Sequence, residues 1–265
     1  MQLPPNRFKQ GLAGDRVQYG LWVSLVDPVA AEIAAGAGFD WLTIDQEHAP
    51  NDARSTLAQL QAMAAYPVET IVRPLQADRA LVKQAMDLGA RTVLVPMVDT
   101  PELAAEMAAA VRYPPTGTRG VASARAARWG RVADHWTQAD EDACLVVQVE
   151  STTALDNLEA IAAVDGVDAL FVGPSDLGAA LGHLGAANHP EVRTAVCDAI
   201  GAIRAAGKAA GVLGTSPELA REYAEAGASF VGVGVDTLVL ARATTELRER
   251  FAGPPEDVEG SRADG

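Results

Sequence analysis

The sequence predicts a single-domain (β/α)8 barrel, the TIM-barrel architecture. Two observations carry this reading. Eight short, nearly continuous apolar runs recur along the chain: 19–25, Trp41–Asp45, Glu69–Arg73, Thr92–Val95, 145–149, Ala169–Val172, Ala209–Leu213 and Phe230–Val235. Parallel strands covered on both faces read this way, without polar alternation. Ala-rich segments with helical periodicity lie between the runs, and a repeated phrase, helix then Ala-Gly then strand, joins them. It occurs at 35–39, 88–91, 206–209 and 226–229. A glycine there caps a helix C-terminus and feeds the next strand. Eight such units with right-handed crossovers close into a barrel. A doubly wound open sheet is the alternative, but the chain has no break in composition.

The helices carry their own start and stop signals. The segment 28–37 opens with Asp27 as N-cap and Pro28 behind it. Segments 80–88, Pro101–Val111, 191–206 and 216–226 follow the same grammar, with Thr100 before one and Pro217 early in another. Two stretches depart from the repeat. Residues 112–143 form a long connection with Pro114, Pro115, Gly117 and the arginines Arg119, Arg125, Arg128 and Arg131. Long loops in compact domains are functional or disordered, and these arginines read most simply as a solvated or interface-forming surface. The second stretch, from 236, begins as an amphipathic helix. The barrel domain is assigned to 1–251, and 252–265, rich in Gly, Pro, Asp and Glu, is expected to be a poorly ordered tail.

Composition excludes several classes. The 265 residues are 49% hydrophobic, ample for one core, and carry a formal net charge of -14. A nucleic-acid or anionic-membrane binder would show a basic face, so neither partner is expected. Cys144 and Cys197 lie far apart, in no disulfide or metal-ligand spacing. No apolar run reaches the length of a spanning helix. The first nine residues lack the apolar stretch of a signal peptide. A cytoplasmic protein is expected.

In a (β/α)8 barrel the reactive residues lie at the C-terminal ends of the strands. The second run ends Asp45-Gln46-Glu47-His48, the third at Arg73, the fifth Gln148-Val149-Glu150, and the sixth runs into Gly173-Pro174-Ser175-Asp176. Glu150 and Asp176 can converge on one point, where a divalent cation would relieve their repulsion. Position alone leaves a second reading open, that each caps a following helix. Arg73 can grip a carboxylate or a developing enolate, or make a structural ion pair. Asp45 can orient His48 as a general base. His135, His183 and His189 read as structural, His189 with Pro190 at a helix start. Trp22 reads more simply as core than as a ligand wall.

The same residues resemble a known family. The motifs Phe39-Asp40-Trp41, Asp45-Gln46-Glu47-His48-Ala49-Pro50-Asn51, Val72-Arg73-Pro74 and Val95-Pro96-Met97-Val98 are similar to those of the HpcH/HpaI aldolases. So are Arg112-Tyr113-Pro114-Pro115, Gly117-Thr118-Arg119-Gly120, Gln148-Val149-Glu150 and Phe171-Val172-Gly173-Pro174-Ser175-Asp176-Leu177. The resemblance runs from about 6 to 241.

It implies a class II aldolase that reversibly cleaves 4-hydroxy-2-oxo acids to pyruvate and an aldehyde, as in aromatic compound catabolism. Glu150 and Asp176 would hold the divalent metal (Mg2+, Mn2+ or Co2+). Arg73 would bind the 2-oxo group and steady the enolate. His48, with Asp45, would move the proton of the aldol hydroxyl. Gln148, Gly173, Pro174 and Ser175 would contact pyruvate, and Trp22 and Leu213 would shape the pocket. The resemblance also implies a homohexamer, a trimer of dimers with exchanged C-terminal helices, and a Gly117–Ser123 loop reaching a neighbour's site. One position departs from the family pattern. Gln46 stands where glycine is usual, which bears on the aldehyde side.

Three other readings compete. A Schiff-base aldolase needs a lysine at a strand end, and Lys9, Lys83 and Lys208 are all elsewhere. A citrate-lyase-like acyl-CoA lyase needs a coenzyme A groove, which no segment suggests. A non-catalytic 2-oxo-acid-binding protein would not require Arg73, His48, Glu150 and Asp176 together.

Overall fold

A computed structural model of the chain describes residues 1–2 and 4–252. Eight parallel strands close into a barrel in sequence order: β1 (Gln18–Val23), β2 (Trp41–Asp45), β3 (Glu69–Arg73), β4 (Thr92–Val95), β5 (Cys144–Val149), β6 (Ala169–Val172), β7 (Ala209–Leu213) and β8 (Phe230–Val235). The ring shuts where Gln18 of β1 pairs in register with Phe230 of β8. Six strands match the expected runs, β5 starts one residue earlier, and β1 is shifted toward the N-terminus. The open-sheet alternative is excluded.

The helices are α1 (Arg7–Gly11), α2 (Pro28–Ala35), α3 (Ala53–Ala62), α4 (Arg79–Asp87), α5 (Pro101–Val111), α6 (His135–Asp142), α7 (Thr152–Asp156), α8 (Leu158–Ala162), α9 (Pro174–Ala180), α10 (Pro190–Ala205), α11 (Pro217–Glu225) and α12 (Asp236–Ala252). The caps follow the sequence grammar. Asp27 accepts from the Val29 and Ala30 N–H groups, and Thr100 and Ser216 cap α5 and α11. Residues 253–265, most of the expected tail, lie outside the described residues. Among the described residues no helix is long and apolar enough to cross a membrane.

Alternation along the strands sorts side chains into two cores. Leu21, Leu42, Val72, Val93, Leu145, Leu170 and Val212 pack outward against the helices. Trp22, Trp41, Ile71, Leu94, Val146, Phe171 and Phe230 fill the barrel itself. Large residues there face glycines: a Cβ on Gly211 would sit 2.1 Å from the Phe230 ring. The barrel floor was not foreseen. No element is expected over residues 1–9, yet α1 plugs the barrel, with Phe8 fully buried, 6.2 Å from Trp41 and 5.1 Å from Phe230, both edge-on. Five helical residues are too few to show a period. Asn6 caps the helix through the Lys9 N–H.

The long connection corrects another expectation. Arg119 and Arg125 are not solvated. Arg119 is buried, 3.3 Å from Asp87 and stacked 4.5 Å over Tyr113. Arg125 donates to the Leu88 carbonyl at 2.6 Å and the Leu60 carbonyl at 3.2 Å. These carbonyls end α4 and α3, where orphan acceptors and the helix dipole favour a cation. Burial, with Arg128 nearby, pulls the Arg125 guanidinium down to about 10.

Candidate active site at the mouth of the barrel

Strand parity decides which side chains reach the mouth. Trp22, Asp45, Arg73, Gln148, Glu150, Gly173 and Leu213 all continue the inward-facing columns. The mouth is therefore the top layer of the barrel interior, with aromatic residues directly beneath it.

Asp45 and Arg73 are register partners across β2 and β3. Their side chains meet in a fork: Arg73 Nε donates to Asp45 Oδ1 at 2.9 Å, and Nη2 to Oδ2 at 2.8 Å. Both residues are buried. Asp45 Oδ1 also accepts the Glu47 and His48 backbone N–H groups, at 3.0 and 3.3 Å. Its acceptor capacity is thus largely spent. The expectation that Asp45 orients the His48 imidazole is not met in this structure. The ring of His48 is exposed, and its Nε2 lies 3.7 Å from Glu47 Oε2. The reason is register: β2 and β3 present Asp45 to Arg73, while the chain has already turned by residue 48. Asn51 Nδ2 holds that turn by donating to the Asp45 carbonyl at 2.6 Å. Gln46 turns away toward α3, donating to Thr56 at 2.9 Å.

Glu47 is a mouth residue to which the sequence pattern assigns no role. Its Oε2 sits 2.9 Å from Arg73 Nη1, yet makes no aligned hydrogen bond. Burial raises its pKa, with Asp45 and Asp176 adding to the rise and Arg73 opposing it. The available signal was its spacing, two residues beyond Asp45.

Glu150 follows β5 and is buried. Its Oε1 accepts the Met97 N–H at 2.9 Å, and its Oε2 accepts from Gln148 Nε2. Met97 has φ of 52°, a left-handed conformation that is rare for a side-chain-bearing residue and found where backbone is held for a purpose. Nothing in the sequence signals it. Burial pushes the Glu150 carboxyl up to about 7; Asp176 and Glu47 raise it further, and the Met97 and Gln148 contacts oppose the rise. Gly173, at the end of β6, makes the space: a Cβ there would lie 2.3 Å from Glu150 Oε2.

Neither acid caps a helix. Ser151 caps α7, accepting the Ala154 N–H. Gly173 is the N-cap of α9, with Pro174 buried behind it and no side-chain cap. Ser175 and Asp176 are exposed in the first turn of α9. The capping alternative falls away for both carboxylates.

The floor is Trp22, with the Arg73 guanidinium 5.7 Å from its ring centroid. Leu213 and Trp22 approach each other over Gly232, where a Cβ would lie 3.1 Å from one and 2.6 Å from the other. A cavity of about 240 Å3 lies elsewhere, lined by Glu69, Arg91, Arg119 and Arg125, and holds none of these residues.

The donor set suits a divalent cation. Asp45, Glu47 and Glu150 act on a single guanidinium, Arg73, and Asp176 adds a further negative charge beside Glu47 and Glu150. The Gln148 Oε1 atom is buried with no partner. An excess of carboxylate with an orphaned carbonyl oxygen is the chemistry of a hard-cation site.

Comparison with known proteins agrees with the geometry. The profile of the HpcH/HpaI aldolase/citrate lyase family matches residues 18–243. The chain is 58% identical to a hydroxypyruvate/pyruvate aldolase of Pseudomonas aeruginosa over 96% of this chain and 95% of that one. It is 54% identical to a 4-hydroxy-2-oxovalerate aldolase of Rhodococcus jostii, over 95% and 98%. The crystal structure of a family protein from Burkholderia cenocepacia superposes with a TM-score of 0.89 at 45% identity, covering 92% of this chain and 98% of that one. The chain is a member of the HpcH/HpaI aldolase/citrate lyase family.

Proposed function

We propose that the protein is a divalent-metal-dependent aldolase that reversibly cleaves 4-hydroxy-2-oxo acids to pyruvate and an aldehyde. A carbon–carbon lyase acting on hydroxy-keto acids is what the aldolase relatives support. The observation that carries the metal-dependent reading is the mouth itself: one buried guanidinium amid four carboxylates, two of them capping nothing.

Glu150 and Asp176 would hold the cation, which when bound supplies Lewis-acid polarisation of the 2-oxo group. Arg73 has five N–H donors and spends two on Asp45. The others, with Nη1 in an ion pair with Glu47 that is not an aligned hydrogen bond, would bind the substrate's 2-oxo oxygen and stabilise the enolate charge as C3–C4 breaks. His48, exposed at the rim beside Glu47, would accept the C4 hydroxyl proton; the aldehyde leaves, and the enolate takes a proton at C3 to give pyruvate. Gln148 and the backbone at Gly173, Pro174 and Ser175 position the pyruvate portion. Trp22 and Leu213 wall the pocket. The location of Gln46 against α3 leaves the mouth unobstructed by its side chain.

A homohexamer with exchanged C-terminal helices fits α12, which exposes Leu238, Val239, Leu240, Leu247 and Phe251. A cytoplasmic location fits the absence of a spanning helix among the described residues. The test is pyruvate release from 4-hydroxy-2-oxo acids of different chain length, before and after metal stripping with EDTA. Release should vanish and return with Mg2+, Mn2+ or Co2+. Full activity in stripped protein would overturn the metal-dependent reading, and cleavage only of acyl-CoA esters would favour the citrate-lyase-like one.

A further inference from the structure

We propose that His183, His189 and Glu191 form a second metal site, distinct from the mouth, for a borderline divalent ion such as Zn2+. Glu191 belongs to the first turn of α10, and His183 and His189 to the connection between α9 and α10. Gly182 and Gly185 take φ of 88° and 78° there, and the chain doubles back through short turns. The His183 N–H donates to the Gly178 carbonyl at 2.7 Å, Ala186 to His183 at 2.9 Å, and His189 to Ala186 at 2.8 Å. The result stacks two imidazoles that are six positions apart. Their centroids are 3.7 Å apart and their planes differ by 17°.

Glu191 completes the group. Its Oε2 is hydrogen-bonded to His183 Nε2 at 2.8 Å, a contact that holds the carboxylate beside the imidazole and that an ion between them would replace. Ligand atoms of all three residues lie within 4.8 Å of one another, and the two rings would rotate out of their stack to point their in-plane lone pairs at one ion. The remaining contact is weak: His189 Nδ1 accepts the Glu191 N–H at 3.3 Å, and an ion can displace it. Helix capping accounts for His189 but not for the stacked His183. Two imidazoles and one carboxylate select Zn2+, Ni2+ or Co2+ over Mg2+, whereas the ligands proposed at the mouth, Glu150 and Asp176, are both carboxylates. The ion would fasten the connection that leaves α9, the helix carrying Asp176, to α10. The cluster is open to solvent, with the Glu191 side chain 63% exposed.

The test uses metal-stripped full-length protein dialysed against Zn2+ in excess Mg2+, with bound zinc measured by elemental analysis. One Zn2+ per chain should persist in Glu150→Gln. His183→Gln and His189→Asn should each weaken that binding on the order of tenfold or more. Asparagine still caps α10, so His189→Asn separates ligation from folding. Zinc should raise the melting temperature of the wild type but not of these two variants. Zinc binding in both variants equal to wild type, or loss of all zinc in Glu150→Gln, would overturn the proposal.

Discussion

Arg73 and Asp45 hold each other in a two-point fork across neighbouring strands, at 2.9 and 2.8 Å, in the buried top layer of the barrel. The fork fixes the guanidinium plane and so fixes where its remaining N–H groups aim. Burial favours loss of the Arg73 charge, yet the contacts with Asp45, and the charges of Glu47 and Glu150, raise its pKa overall. Removing one partner of a buried pair costs ~3–5 kcal/mol, because the other charge is stranded. Asp45→Asn should therefore lower unfolding stability by about 3 kcal/mol and kcat/KM by about 100-fold or more. Arg73→Lys keeps the charge but not the fork, and should lose comparable activity. The double variant should be far less than additive in urea unfolding and kinetics; simple additivity would refute the coupling.

Glu150 makes a pH prediction for metal-stripped protein. Burial pushes its folded carboxyl up to about 7, from an ordinary glutamate value of 4.5. Between those values the native state binds more protons than the unfolded state, so stability falls as pH rises through that window. The total is on the order of 3 kcal/mol. Urea midpoints from pH 4.5 to 7.5 should show the decline. Glu150→Gln should flatten most of it, leaving the smaller part due to Glu47, whose pKa is also raised. An equal decline in the variant would assign the effect elsewhere. Added Mg2+ should stabilise more at the higher pH, because ligation needs the carboxylate.

Gly173→Ala places a methyl group 2.3 Å from Glu150 Oε2 and 3.1 Å from Gln148 Nε2. The carboxylate must leave its Met97 and Gln148 contacts to make room. Metal affinity should fall at least ~10-fold, with a melting temperature lowered by only a few degrees, since the collision is at the mouth and not in the core. Isothermal titration with Mn2+ decides; unchanged affinity would mean that Glu150 is not a ligand.

Phe8→Ala removes the plug of the barrel floor. A fully buried phenylalanine in edge contact with two aromatic rings should cost ~3–5 kcal/mol on truncation. Asp45, Arg73, Glu150 and Gly173 lie at the opposite end of the strands, so kcat per folded molecule should change little. Denaturant melts and active-site-normalised kinetics test both halves.

The sequence by itself determined the barrel, six of its strands to the residue, the caps of α2 and α5, and which strand ends carry Asp45, Arg73, Gln148 and Glu150. It could do so because strand burial, helix capping and strand-end chemistry are local patterns, written in residue type and spacing. It also supplied Glu150 and Asp176, but not the evidence that neither is a cap. That needed Ser151 and Gly173 seen in the N-cap positions. Partnerships were decided only by the tertiary structure. Asp45 belongs to Arg73, not to the His48 ring, because strand register sets who faces whom. Arg119 and Arg125 turn inward because orphan helix carbonyls and Asp87 wait for them, and no spacing in the loop encodes those distant acceptors. The Met97 backbone, the α1 plug and the stacked His183 and His189 are likewise products of closure. A chain read in one dimension gives the groups that reach a place; the closed barrel decides which of them touch.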